Sequence, residues 1–214
     1  DGFVEEYKKT WHDYNIDYTK FIRTTDDEHK KAVYALINTL LEKGDIYKGN
    51  YIGWYCTPCE TFVPGKQKKD EEGPPCPSCG RITCYISETC YFFKLSAYQD
   101  KLLQFFKDHP DFIYPKERLN EVLSFVESGL KDLCISRSTV KWGIPFPGEQ
   151  EQVVYVWADA LTNYIAALGY GDPERAQEFA QWWPADLHIL GKDIVRFHAV
   201  YWVAFLMAAD LQTP

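Results

Sequence analysis

Apolar residues recur at helical spacing at Val33, Leu36, Ile37, Leu40 and Leu41, and the run stops at Gly44. One apolar stripe repeating every three to four residues predicts an amphipathic helix, and Thr25 followed by Glu28 has the form of a capping box that opens it. Residues 46–55 are rich in aromatic side chains and glycine, which predicts short strands running into a cysteine-rich segment. Ser96 with Gln99 opens a second predicted helix that ends at Pro110. Pro115 opens a third, with Leu119, Val122, Leu123 and Val126 facing inward and Gly129 as its stop.

Residues 142–148, WGIPFPG, are dense in turn formers and precede a polar run, so a boundary is placed after residue 152. Beyond it the pattern changes. Residues 153–157 form a continuous apolar run, residues 160–168 a helix stopped by Gly169, and Asp172-Pro173 opens another helix. Residues 187–190 are a second apolar run leading into a helix from Asp193 to about Ala209. Strands apolar on both faces, alternating with helices, predict an α/β fold with a partial parallel sheet covered by helices. Two strands are too few to complete such a domain.

The 214 residues are 46% hydrophobic and 16% aromatic, enough to bury a sizeable core. With 31 acidic against 23 basic side chains the net charge is -8, which excludes a broad basic face for nucleic acid. The most apolar run, residues 199–211, is too short to span a bilayer. No export signal is evident, and seven cysteines, an odd number, argue against a disulfide framework, so the chain is expected in the cytoplasm with reduced thiols and no membrane partner.

Four of those cysteines, Cys56, Cys59, Cys76 and Cys79, form two Cys-x-x-Cys pairs sixteen residues apart. Two-residue gaps let both thiolates of a pair face one tetrahedral ion, and the whole spacing matches a four-thiolate structural Zn2+ site, a small knuckle whose lysine- and acid-rich middle is a solvated loop. The competing readings are two disulfides or a redox pair, and neither has a supporting context here. Four thiolates leave no position open for water, so the site is structural. Cys84, Cys90 and Cys134 lack partners at ligand spacing and are read as buried thiols.

Two further stripes are candidates for chemistry. Trp157, Ala160 and Tyr164 follow one another at three and four residues, and Ile194, His198 and Tyr201 at four and three. Facing each other, they would frame an aromatic pocket without formal charge, suited to an unbranched apolar or thioether group. The same periodicity is also that of ordinary core, and His198 alone reads equally well as a satisfied core histidine.

Residues 154–165, VYVWADALTNYI, and 188–202, HILGKDIVRFHAVYW, closely resemble the two signature segments of the methionyl-tRNA synthetases, class I aminoacyl-tRNA synthetases. The resemblance continues through IYKGNYIGWYCTPCETF, YFFKLSAYQDKLL and the phrase ending KWGIPFP, covering nearly the whole chain. Leu161 and Val203 stand where relatives often carry proline, and Ala158 where a bulkier residue is usual. The resemblance implies that Trp157, Ala160, Tyr164, Ile194, His198 and Tyr201 form a methionine side-chain pocket, and that Gly191 and Asp193 lie against the adenylate ribose. It implies ATP with Mg2+, L-methionine and the acceptor end of tRNA(Met) as partners of the parent enzyme. It also implies a division into a helical lead-in (1–45), the zinc knuckle of a connective peptide (46–92), the rest of that peptide (93–152) and the second half of a Rossmann catalytic domain (153–214).

The family's HIGH and KMSKS segments do not occur in this sequence, so no residue is named as catalytic and the chain is expected to be an internal fragment, inactive alone. Two other functions remain open at this point. One is a zinc-knuckle adaptor or RNA-binding module acting alone, which an RNA shift assay would reveal; the other is a class I synthetase for a different apolar amino acid, which leucine or isoleucine titration would reveal.

Overall fold

The structure, a computed structural model, describes residues 2–59, 61–63, 72–77 and 79–214. The loop expected to be solvated falls on residues 64–71, outside the described residues. Helix α1 (Gly2–Asp13) buries none of its side chains. Helix α2 (Asp27–Glu42) buries Val33, Leu36, Ile37 and Leu40, as its stripe requires. Its N-cap is Asp26 rather than Thr25, and the capping box does not form. The Asp26 carboxylate instead accepts from the Arg23 backbone N–H at 2.9 Å. At the other end Gly44 takes φ +73°, and the Gly44 and Asp45 amides donate back to the Leu41 and Leu40 carbonyls.

Strand β1 (Ile46–Cys56) pairs with β2 (Thr61–Val63) on one side and with β3 (Cys84–Phe93) on the other, and β3 also pairs with β4 (Leu133–Cys134). The resulting sheet has the order β2-β1-β3-β4. Between β3 and β4 lie α3 (Gln99–Asp108), entered through a 3-10 turn at Leu95–Tyr98, and α4 (Lys116–Glu127), which Pro115 precedes. The Ser96 hydroxyl does not cap α3; it donates to Asp132. Strands β5 (Ser136–Arg137), β6 (Pro145–Phe146) and β7 (Glu149–Val154) form a second sheet, order β5-β7-β6. The turn-rich segment at 142–148 is therefore part of a hairpin. Tyr91 on β3 stacks on Phe146 at 4.2 Å and ties the two sheets together.

Every strand pair among the described residues is antiparallel. The expected partial parallel sheet is not formed by these residues, for two reasons. The apolar run at 153–157 leaves the sheet after Val154, and from Val156 it becomes helix α5 (Val156–Leu161). A four- or five-residue apolar run fits a strand or a buried helix equally well, so periodicity could not separate the two. Residues 187–190 have no ladder neighbour, and Leu187 and Ile189 are 72% and 89% exposed. A parallel strand needs an adjacent strand for its hydrogen bonds, and none of the described residues supplies one.

Helix α6 (Asn163–Ala166) continues from α5, a 3-10 turn at Pro173–Arg175 leads into α7 (Ala176–Trp182), and the final helical region runs from Lys192. This last region is not one long α-helix. It comprises a 3-10 turn (Lys192–Ile194), a π-helical stretch (Phe197–Trp202) and α8 (Val203–Ala208). A single apolar core joins α2, α3, α4, α5, α6, the β6–β7 hairpin and α8, with Trp202 and Phe205 at its centre.

Helix α2 packs against the turn after α6 so closely that Gly171, at φ +81°, leaves only 2.6 Å between a built Cβ and the Ala35 methyl. Gly171→Ala would introduce both backbone strain and a clash with the Ala35 methyl, which has no rotamer by which to move away. A loss of about 2–4 kcal/mol is expected, read as a lower denaturant midpoint at unchanged slope.

Candidate functional site

Two sites emerge, a thiol cluster and an aromatic wall. The sulfurs of Cys56, Cys59, Cys76 and Cys79 all lie within 4.8 Å of one another. Cys56 ends β1, and Cys76 sits in a tight turn in which its amide donates to the Arg81 carbonyl and its carbonyl accepts from the Gly80 amide, both at 2.8 Å. Trp54, Cys56, Val63 and Cys76 form a small core of their own, separate from the main one, with Cys59 packed against it.

The donor set fits a metal: four thiolates around zinc, with Zn–S bonds of ~2.3 Å, have sulfur–sulfur edges of ~3.8 Å, and Cys56 and Cys79 already stand at 3.5 Å. Hydrogen bonding with Cys79, followed by burial, pushes the Cys59 thiol up to about 12, and burial raises Cys56 as well. Thiols so crowded resist ionising together, and a divalent cation reverses that by stabilising each thiolate. The cluster can hold a metal ion. Of the remaining cysteines, Cys90 and Cys134 are buried as expected, but Cys84 is exposed, because it opens β3 where the strand's outer face meets solvent.

The second site is built where α5 and α6 meet the π-helical stretch. The Tyr164 hydroxyl and His198 Nε2 are 2.7 Å apart, and His198 Nδ1 lies 2.9 Å from the Ile194 carbonyl. A carbonyl only accepts, so Nδ1 carries the hydrogen. Desolvation lowers the His198 pKa, and the ring is neutral near pH 7, so Nε2 is a lone pair that accepts from the Tyr164 O–H. The two stripes thus meet through a directed chain from Tyr164 to His198 to Ile194. The Tyr164 and Tyr201 phenols are held un-ionised by burial.

Trp157, half-buried, stacks flat on Phe197 with centroids 3.8 Å apart and planes 8° off parallel, and Phe197 meets Tyr201 edge-on at 5.5 Å. Tyr164 also stacks on His188 at 4.1 Å. Burial, and then the neighbouring His198, lowers the His188 pKa to about 4. Phe197 and His188 were missed in the sequence reading. Phe197 stands three residues after Ile194 and four before Tyr201, on the same helical face as the predicted stripe, so helical spacing could have found it; it opens a π-helical stretch, and such turns concentrate at functional sites. Ala160 is half-buried, while Gly191 and Asp193 lie exposed at the turn that begins the last helical region. On one side of His188 opens a cavity of about 510 Å³ lined by residues that include Phe112, Val195, His198 and Trp202.

A four-thiol knuckle on a β-ribbon and, in the C-terminal part, an aromatic cluster built from residues 154–165 and 188–202 are the arrangement expected of a class I aminoacyl-tRNA synthetase. The family model for "tRNA synthetases class I (M)" matches residues 1–85 and 67–214, and the chain belongs to that family. It is 52% identical over 215 aligned positions to a methionine–tRNA ligase of Clostridium acetobutylicum, covering all of this chain and 33% of that protein. In structure it resembles a Mycobacterium tuberculosis methionyl-tRNA synthetase bound by methionyl-adenylate, with a TM-score of 0.85 and 44% identity over 97% of this chain and 41% of that one. The ligand-free form of the same M. tuberculosis enzyme gives a TM-score of 0.87 and 45% identity over 99% of this chain and 43% of that one. The chain thus spans about a third of the length of the curated relatives it matches.

Proposed function

We propose that this chain is the connective-peptide and second Rossmann-half portion of a methionine–tRNA ligase, which activates L-methionine with ATP and Mg2+ and transfers it to tRNA(Met). The observation that carries the reading is the aromatic cluster in which Tyr164 donates to His198 and Trp157 stacks on Phe197, the residue before His198. Its imidazole is neutral near pH 7, and its hydrogen-bond chain ends on a backbone carbonyl. Such a surface selects by shape and polarisability, which suits a thioether side chain. The 44% identical neighbour, whose structure holds methionyl-adenylate, supports the same assignment.

In this reading Ala160, Ile194 and Tyr201 complete the methionine pocket, and the exposed Asp193 carboxylate accepts from the adenylate ribose beside the Gly191 backbone. Residues 1–45 lead into the knuckle at 46–92, which holds one structural Zn2+ and supports the acceptor end of the tRNA. Residues 93–152 complete the connective peptide. Residues 153–214, including the uncovered run at 187–190, dock onto a parallel sheet supplied by the rest of the enzyme, which works in the cytoplasm. Among the described residues no helix is long and apolar enough to cross a membrane.

Catalysis in this reading is positioning and phosphate-charge stabilisation, and the residues in this chain contribute the positioning. Amino-acid-dependent pyrophosphate exchange tests it. The full-length enzyme is expected to exchange with methionine and not with leucine or isoleucine, and the 214-residue chain alone to show no exchange above a matched control. Equal exchange with leucine or isoleucine, or turnover by the isolated chain, would overturn the reading.

A further inference from the structure

His29 is fully buried on α2, and its Nε2 lies 2.5 Å from an Asp159 carboxylate oxygen, a contact made across 130 residues of sequence. A carboxylate accepts, so Nε2–H donates. The other ring nitrogen, Nδ1, is buried and has no hydrogen-bond partner among the described residues. Asp159 lies on α5 between Trp157 and Ala160, two residues of the candidate pocket.

The residue before His29 grips the same segment from its far end. Glu28 pairs with Arg175 at 2.8 Å, and Arg175 in turn donates to the Ala167 carbonyl just beyond α6, at 2.9 Å. Two adjacent α2 side chains therefore fix both ends of the stretch that carries Trp157, Ala160 and Tyr164.

A buried polar pair that leaves one nitrogen unsatisfied is a poor way to gain stability, since a well-packed apolar pair of similar volume avoids that desolvation cost. What the pair supplies is direction. It fixes the rotation of the first turn of α5 about its axis, which apolar packing would leave free to slip. α5 has only six residues, too few to hold its own orientation without tertiary contacts.

We propose that His29 is a positioning residue for amino-acid recognition: through Asp159 it sets the angle at which Trp157 and Ala160 face the substrate side chain. The inference rests on the reading of the aromatic wall as a methionine pocket.

The test is steady-state pyrophosphate exchange with the full-length enzyme, varying methionine and ATP separately and recording thermal unfolding. Misplacing a recognition group by about an ångström costs up to ~100-fold, so His29→Ala is expected to raise the KM for methionine roughly ten- to a hundredfold while the KM for ATP stays within about twofold. His29→Gln, whose amide N–H reaches the place of Nε2–H, is expected to recover most of the loss. Asp159→Asn keeps the shape, weakens the bond, and should reproduce the methionine-selective effect; it decides the matter if His29→Ala does not fold.

A methionine KM within about twofold of the parent in Asp159→Asn, or equal losses for methionine and ATP that His29→Gln does not rescue, would overturn the inference. An unmodified enzyme that fails to use methionine would instead sink the functional reading, and this inference with it.

Discussion

Trp157→Ala in the full-length enzyme is expected to lower kcat/KM for methionine by roughly 30- to 1,000-fold, about 2–4 kcal/mol of transition-state stabilisation, with the KM for ATP nearly unchanged. The expectation follows from the position of the ring. It is half-buried and held flat against Phe197 at 3.8 Å, so one face is fixed by the protein, and in the proposed pocket truncation would remove the other face from the substrate. Trp202 is the control. Its exposure is 0% and it sits at the centre of the main core, so Trp202→Ala should lower the melting temperature and damage the use of both substrates together. His198→Ala should weaken methionine discrimination, and Asp193→Ala should affect the nucleotide-dependent step. A Trp157→Ala enzyme that loses methionine and ATP use equally and melts early would show that the ring is core and not pocket.

Cys76→Ala is expected to abolish metal binding and disorder the knuckle while leaving the main core folded. Structural zinc contributes roughly 10–16 kcal/mol of binding free energy that is available only to the folded loop, and the knuckle's own apolar core is Trp54, Cys56, Val63 and Cys76 with Cys59 beside it. A cluster of that size cannot offset the conformational entropy of the segment without the ion. Metal analysis of protein purified without added metal should give one zinc per chain for the parent and none for the variant. Hydrogen exchange should accelerate in residues 54–56 and 72–84 and remain slow in α2 and α8. Stoichiometric zinc in the variant, or loss of protection throughout the chain, would contradict this.

Much of the helical framework was legible because each helix obeys its own local rules. The α2 stripe, the Gly44 stop and Pro115 ahead of α4 all lie where spacing places them. The thiol cluster was legible for a similar reason, since a Cys-x-x-Cys pair carries its geometry within four residues. The C-terminal part was harder. The run at 153–157 reads as one strand, yet Tyr155 caps a helix whose formation depends on the packing of α2 and the last helical region. The facing of Tyr164 and His198 was implied by two stripes, but that His188 stacks on Tyr164 was not, because His188 lies in a segment without regular structure whose path only the fold sets. His29 and Asp159 carried no signal at all. They are 130 residues apart, and only the fold brings them together.

The hydrogen-bond chain from Tyr164 through His198 to the Ile194 carbonyl runs in one direction, and its last acceptor can never become a donor. That end point fixes the polarity of every group before it, so this part of the wall offers lone pairs and keeps its own protons committed. An incoming acceptor would therefore find lone pairs along this hydrogen-bond chain and no proton to spare, a polarity set by a backbone carbonyl one helical turn before His198.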